Sequence, residues 1–216
     1  MIVPTMSLAE VHHEMLYDFE AVQRKACAQS KLMQQQMARK GLKHEQQCLK
    51  YTSARKTEWT ILYNIFTNNI RYVIFTEATD KRGKVAYQFL FDPLNHENGI
   101  VKYNTHFFQR YRERQHPHLH NPSDIIRHFF KHNFECHIGQ TQELKDGRRL
   151  TSYVFTEGVG MGWMNKDKRL VNLKTFMPHH MLSNKQQSFA DFIVNYKDGD
   201  EFEMTLKNES IINNLK

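Results

Sequence analysis

Cysteine is scarce in this chain, and none of it is arranged for bonding. Cys27, Cys48 and Cys136 are odd in number, widely spaced and without a C-x-x-C pair. That excludes a disulfide framework and a zinc finger, and a reducing, cytoplasmic setting is expected. Proline and glycine are sparse, five and nine in 216 residues, which rules out a collagen-like or low-complexity chain. No apolar run approaches the ~18 residues of a spanning helix, and Met1-Ile2-Val3-Pro4-Thr5 lacks the basic start and apolar stretch of a leader. No membrane partner is expected. Neither G-x-S-x-G nor H-E-x-x-H occurs. The run Gly158-Val159-Gly160-Met161-Gly162 lacks the Lys-Ser or Lys-Thr of a nucleotide-phosphate loop, and its glycines read as turn or bulge positions.

What the chain does contain is enough apolar material for a core: 40% of residues are hydrophobic, with fifteen Phe and nine Tyr. The net charge of +7 leaves thirteen His neutral and favours an anionic partner such as RNA. The positive charge is concentrated in the middle of the chain, and the segment beyond Gln186 is acidic.

The pattern along the chain predicts an α+β protein: an N-terminal helical arm over residues 1–66, then an α+β domain over 67–216 in which a twisted antiparallel sheet packs with short helices. Ser7 to about Leu49 has no Pro and one Gly, and Ser7 with Glu10 forms a capping box. Leu8, Val11, Met15, Phe19 and Val22 make one apolar stripe that must dock on this chain, on a second copy or on a protein partner. Trp59, Leu62, Tyr63 and Phe66 continue at helical spacing. From Ile70 the period becomes two. Ile70 to Glu77, a turn at Lys81-Arg82-Gly83-Lys84, and Val85, Tyr87, Phe89 and Phe91 predict a hairpin, with a further strand after Asn98-Gly99. Helices follow at Thr105 to Gln115 and Ser123 to His132, then strands at Leu150 to Thr156, Gly162 to Asn165 and Leu170 to Met177. Phe189, Phe192, Ile193 and Tyr196 suit a closing helix or a strand, and Phe202, Met204 and Leu206 alternate.

Chemistry concentrates on the first of these short helices. His106, Arg110 and Arg114 are four residues apart and share one sector of about 80°, with Phe107 and Tyr111 beside it. Clustered cations repel unless an anion lies between them, and a phosphodiester is such an anion. Arg supplies forked donors to phosphate oxygens, and His gives or takes a proton near neutrality. The same row also fits a solvated helix face. His116, His118 and His120 alternate around Pro117, His128 and His132 are an i, i+4 pair, and His179-His180 lies beyond. Without a carboxylate motif beside them these read as a His-rich surface, and neither a structural metal nor any cofactor is expected.

The order of elements adds a resemblance. His-x-x-x-Arg-x-x-x-Arg on a helix, a second helix beginning at Ser123-Asp124, and a meander ending in Leu173-Lys174-Thr175-Phe176 together resemble the small ribonuclease toxins of the barnase, colicin and toxin–antitoxin type, over roughly residues 101–182. The resemblance implies a helical start followed by a twisted antiparallel sheet on which RNA sits. It implies acid, base or phosphate roles for His106 and Arg110, a phosphate role for Arg114, and a place for Thr175 at a strand end. Lys102, Tyr111 and Lys174 would then contact the nucleic acid. The helical arm, the first hairpin and the glycine-rich run are outside that pattern. A non-enzymatic adaptor that self-associates or binds a protein through its N-terminal helices is the alternative, and it would account for the arm.

Overall fold

The computed structural model describes residues 2–67, 69–92, 97–143, 147, 149–165 and 170–184. The segments around Phe189 to Tyr196 and Phe202 to Leu206 lie outside the described residues.

One helix, α1 (Leu8–Lys40), opens the chain. Ser7 caps it reciprocally with Glu10, and Gly41 ends it in the left-handed conformation at φ 66°, where its N–H reaches the carbonyls of Ala38 and Met37. Val11, Met15, Val22, Ala26, Met33 and Met37 form its buried face. The stripe predicted from sequence therefore docks on the chain's own sheet, packing against Trp59, Ile61, Tyr63, Val85, Tyr87 and Phe89.

Two expectations for the arm do not hold. Beyond Gly41 the chain forms strands β1 (His44–Thr52) and β2 (Glu58–Phe66), not further helix. Residues Trp59 to Tyr63 are all buried, because β2 has α1 on one face and the short helices' core on the other. A strand buried on both faces loses its period-two signature, and its apolar residues then match helical spacing by accident.

The rest of the first half follows the predicted meander: β3 (Asn69–Asp80), β4 (Gly83–Asp92) and β5 (Glu97–Tyr103). The chain then forms α2 (Thr105–Gln115), capped by Asn104, and α3 (Pro122–His132), capped by Asn121 with Pro122 in its first turn. A second meander, β6 (Cys136–Glu143), β7 (Arg149–Phe155), β8 (Gly158–Met164) and β9 (Leu170–Pro178), ends in a short 3-10 turn, His179–Met181. Strand β6 has no counterpart in the sequence reading, since an edge strand that is largely polar carries little pattern.

All nine strands join one sheet in the order β1-β2-β3-β4-β5-β9-β8-β7-β6. Every pairing is antiparallel except β5 with β9, where Val101 meets Val171 and Tyr103 meets Leu173 in parallel. The first meander runs from one edge to the centre. Helices α2 and α3 then carry the chain to the opposite edge, and the second meander returns to the centre. The fold is α+β: α1 covers one face, and α2 and α3 cover the other over rings of Tyr103, Phe107, Tyr111, Phe129, Phe155 and Phe176 that meet largely edge to face. Among the described residues no helix is long and apolar enough to cross a membrane.

The glycine-rich run forms β8, and its register against β9 shifts between Met161 and Gly162. A Cβ on Gly160 would meet the Phe155 ring at 2.8 Å and the Phe107 ring at 3.0 Å, and one on Gly162 would collide with the Asn172 carbonyl. Alternate glycines leave one side of the strand bare, so the Phe107 ring of α2 settles directly on the backbone at Gly160 and β9 closes on Gly158 and Gly162. This close seating brings the C-terminal end of α2 to the two-residue turn, Thr156 and Glu157, that joins β7 to β8.

Candidate functional site

Where α2 ends, the side chains converge on Glu157. The Tyr111 hydroxyl donates to Glu157 Oε2 at 2.6 Å, Asn133 Nδ2 donates to the same oxygen at 2.7 Å, and His116 Nε2 lies 3.1 Å from Oε1. His132 Nδ1 is 3.9 Å from Oε1, and the Glu157 backbone N–H donates to Asn133 Oδ1 at 2.9 Å. Burial alone would raise the Glu157 pKa, but the bonds from Tyr111, Asn133 and His116 outweigh it and hold the carboxyl below its ordinary value. Glu157 is therefore an anion with nearly all its acceptor capacity used.

That anion fixes two imidazole tautomers. A carboxylate only accepts, so His116 bonds it through Nε2–H, and its Nδ1 is left as the basic nitrogen when the ring is neutral. Tyr111 gives its single proton to Glu157, so the contact of 2.9 Å with His128 requires His128 Nδ1–H to donate to the phenol oxygen. The result is a continuous chain, His128 to Tyr111 to Glu157, joined by His116. His128 stacks on His132 with ring centroids 4.0 Å apart and lies 4.3 Å from His116. Burial and the neighbouring imidazoles of His132 and His116 depress its pKa to about 4, so it is neutral at physiological pH. The Tyr111 phenol, buried and facing a carboxylate, is raised far above its ordinary value and stays protonated. Histidine rings that stack, with Nε2 of His116 already spent on Glu157, do not aim their nitrogens at one point; among the described residues no three metal-ligating side chains are arranged to hold an ion.

The residues singled out from sequence are distributed unequally around this hub. His106 and Arg110 do meet on the exposed side of α2, with Arg110 Nε 3.3 Å from His106 Nε2 and Nη1 3.0 Å from Glu113. Arg114 turns inward and donates through Nη1 to the Phe176 carbonyl at 2.6 Å. Tyr111 is fully buried and belongs to the Glu157 chain. Lys174 is exposed where the register of β8 and β9 shifts. Thr175 pairs with Met161, whose side chain packs with Val154 and Val159 on the sheet face away from α2. Lys102 also faces away from α2, lying over the Tyr87 ring and bonding Asp80 at 3.1 Å. Thr175 and Lys102 therefore do not share the face of His106 and Arg110.

Glu157 and Asn133 carry no motif, and nothing local to either marks them. The imidazoles around them are the ones the sequence displays as a His-rich loop and an i, i+4 pair; the missing piece was a carboxylate 41 positions from His116. No protein-family model matches the sequence, and neither a curated protein nor a solved structure is significantly similar to it.

Proposed function

We propose that this chain is a metal-independent ribonuclease whose proton transfers run through His116 and the imidazoles stacked beside it. The observation that carries this reading is the Glu157 hub: a half-buried carboxylate that orients His116 through Nε2 and stands ready to stabilise its charged form. In the proposed reaction His116 Nδ1 takes the proton of an RNA 2′-hydroxyl as that oxygen attacks the neighbouring phosphorus. The exposed His132, in its charged form, returns a proton to the departing 5′-oxygen. The bond to the 5′-oxygen breaks as a cyclic phosphate forms, so protons and bonds balance.

Charge stabilisation comes from α2. Arg114 is two residues from His116 and keeps donors beyond the one it gives to Phe176. Arg110 and His106 extend the row along the helix at intervals of about 6 Å, a track for the phosphates flanking the scissile one. The net charge of +7 favours such a polyanion. The adaptor alternative has less support, because the apolar stripe of α1 that would have served as its docking face is buried against the sheet.

The test is cleavage of a labelled RNA in the presence of chelator by the parent, His116→Ala, Glu157→Gln, Arg110→Ala and Arg112→Ala, each checked for folding. His116→Ala and Glu157→Gln should lose on the order of a hundredfold or more in rate. Arg110→Ala should weaken RNA binding, and Arg112→Ala, on another face of the helix, should change little. An inactive parent, or equal rates in parent and His116→Ala, rejects the assignment.

A further inference from the structure

On the other flank of α3 from its stacked imidazoles, the sheet and the helix enclose a polar cleft of about 220 Å³. Strand alternation builds it. Thr60 pairs with Lys50 on one side and with Phe75 on the other, and Phe75 stacks on Phe130 of α3, so this row faces α3. Glu77 follows Phe75 by two residues on β3, and Lys84 precedes Ala86 by two on β4, which puts both on the same face. Helix α3 contributes Ser123 and Arg127, one turn apart.

Within the cleft the polar groups brace one another. The Ser123 hydroxyl donates to Glu77 Oε2 at 2.6 Å and accepts from Lys84 Nζ at 2.6 Å, while Lys84 Nζ lies 3.4 Å from the same carboxylate oxygen. Lys84 is thus held in place. Arg127 Nε is 3.9 Å from Glu77 Oε1, beyond hydrogen-bond reach; this nitrogen is buried and finds no acceptor among the described residues. Lys50 lines the same space and has no ion-pair partner among the described residues. Three cations thus line the cleft with two carboxylates, Glu77 and Glu58; Arg127 Nη1 is 3.5 Å from Asp124 Oδ1 outside the lining, so the donors left over are Arg127 Nε and those of Lys50. A buried guanidinium N–H without an acceptor is costly, and an anionic oxygen is the acceptor that best relieves it.

We propose that this cleft binds a small molecule through an oxyanion, a carboxylate or phosphate group gripped by Arg127 together with the ammonium groups of Lys84 and Lys50. A cleft of about 220 Å³ suits a compact metabolite. The guanidinium fork supplies directional donors, and the Ser123–Glu77 brace prepays the ordering of Lys84. The site is independent of the RNA reading.

Calorimetric titration of the full chain tests it, with inorganic phosphate in one arm and succinate in the other, at ionic strength held constant with sodium chloride. At least one should give saturable, one-to-one binding, and the arm that does so identifies the group recognised. Arg127→Met should weaken that binding tenfold or more. Ser123→Ala, which keeps every charge but releases Lys84, should weaken it less, and Arg112→Met, outside the cleft, should leave it unchanged. Absence of saturable heat in both arms overturns the proposal. So does equal binding by Arg127→Met when circular dichroism shows that variant folded; if it does not fold, equal binding by Ser123→Ala and the parent overturns it.

Discussion

Asp18 lies on the buried face of α1, 5% exposed, where it accepts from the Trp59 indole N–H at 3.2 Å. Asp18→Ala should leave that N–H buried without an acceptor and cost about 1–3 kcal/mol, whereas Asp18→Asn keeps an acceptor oxygen and should cost less. Urea midpoints of the two variants check this, and equal losses would show that the bond is not what matters there. The same reasoning separates what single residues reveal from what they conceal. His116, His128 and His132 stand out by type and spacing, but the tautomers of His116 and His128 depend on Glu157 and Tyr111, which sequence places far from one another and structure brings to 2.6 Å. Arg110 beside His106 was legible because both lie on one helix, four residues apart.

Strand β8 is packed too closely to admit side chains at its alternate glycines. Gly160→Ala would press a methyl group into the Phe155 and Phe107 rings, and Gly162→Ala would drive one into the β9 backbone, which has no rotamer to yield with. Each should lose roughly 1–3 kcal/mol, with Gly162→Ala the more damaging. Gly41→Ala is the comparison: its Cβ meets nothing within 4 Å, so only the strain of φ 66° remains, on the order of 1 kcal/mol. Thermal midpoints that rank Gly41→Ala as the worst of the three would refute the account. Read as sequence, this run suggests turn or bulge positions, because glycine weakens an isolated strand, and the register of β8 against β9 does shift between Met161 and Gly162. Its requirement comes from the Phe155 and Phe107 rings and from the β9 backbone, neighbours in space only. The same holds for β2, whose double-sided burial hides its period, whereas α2, α3 and the hairpin of β3 and β4 carry caps and alternation that are visible locally.

Stability of the whole molecule should depend on pH through the imidazole cluster. His128 is held near 4 in the folded chain, against an ordinary value of 6.5, so between these the unfolded chain binds the extra proton and stability falls as pH falls from 6.5 to 4. Glu157, held below 4.5, adds stability that is present above 4.5 and is lost on further acidification through its folded value. Urea midpoints measured from pH 8 to pH 4 should decline in that upper window, and His128→Gln should flatten the decline; a parent profile level from pH 7 to pH 4.5 contradicts the assignment. At this scale the division between sequence and tertiary structure is clear. By itself the sequence determined that α1 starts at the Ser7 cap, that α2 and α3 flank a proline break, that β3, β4, β5, β7 and β9 exist, and that the class is α+β, because caps, turns and alternation act between near neighbours. Only the tertiary structure decided that β1 and β2 join the sheet, that β5 and β9 meet in parallel, and that Tyr111, His116, Asn133 and Glu157 share one site. Those outcomes depend on burial and on pairings between distant residues, and no local stretch of sequence encodes the surface against which it will pack.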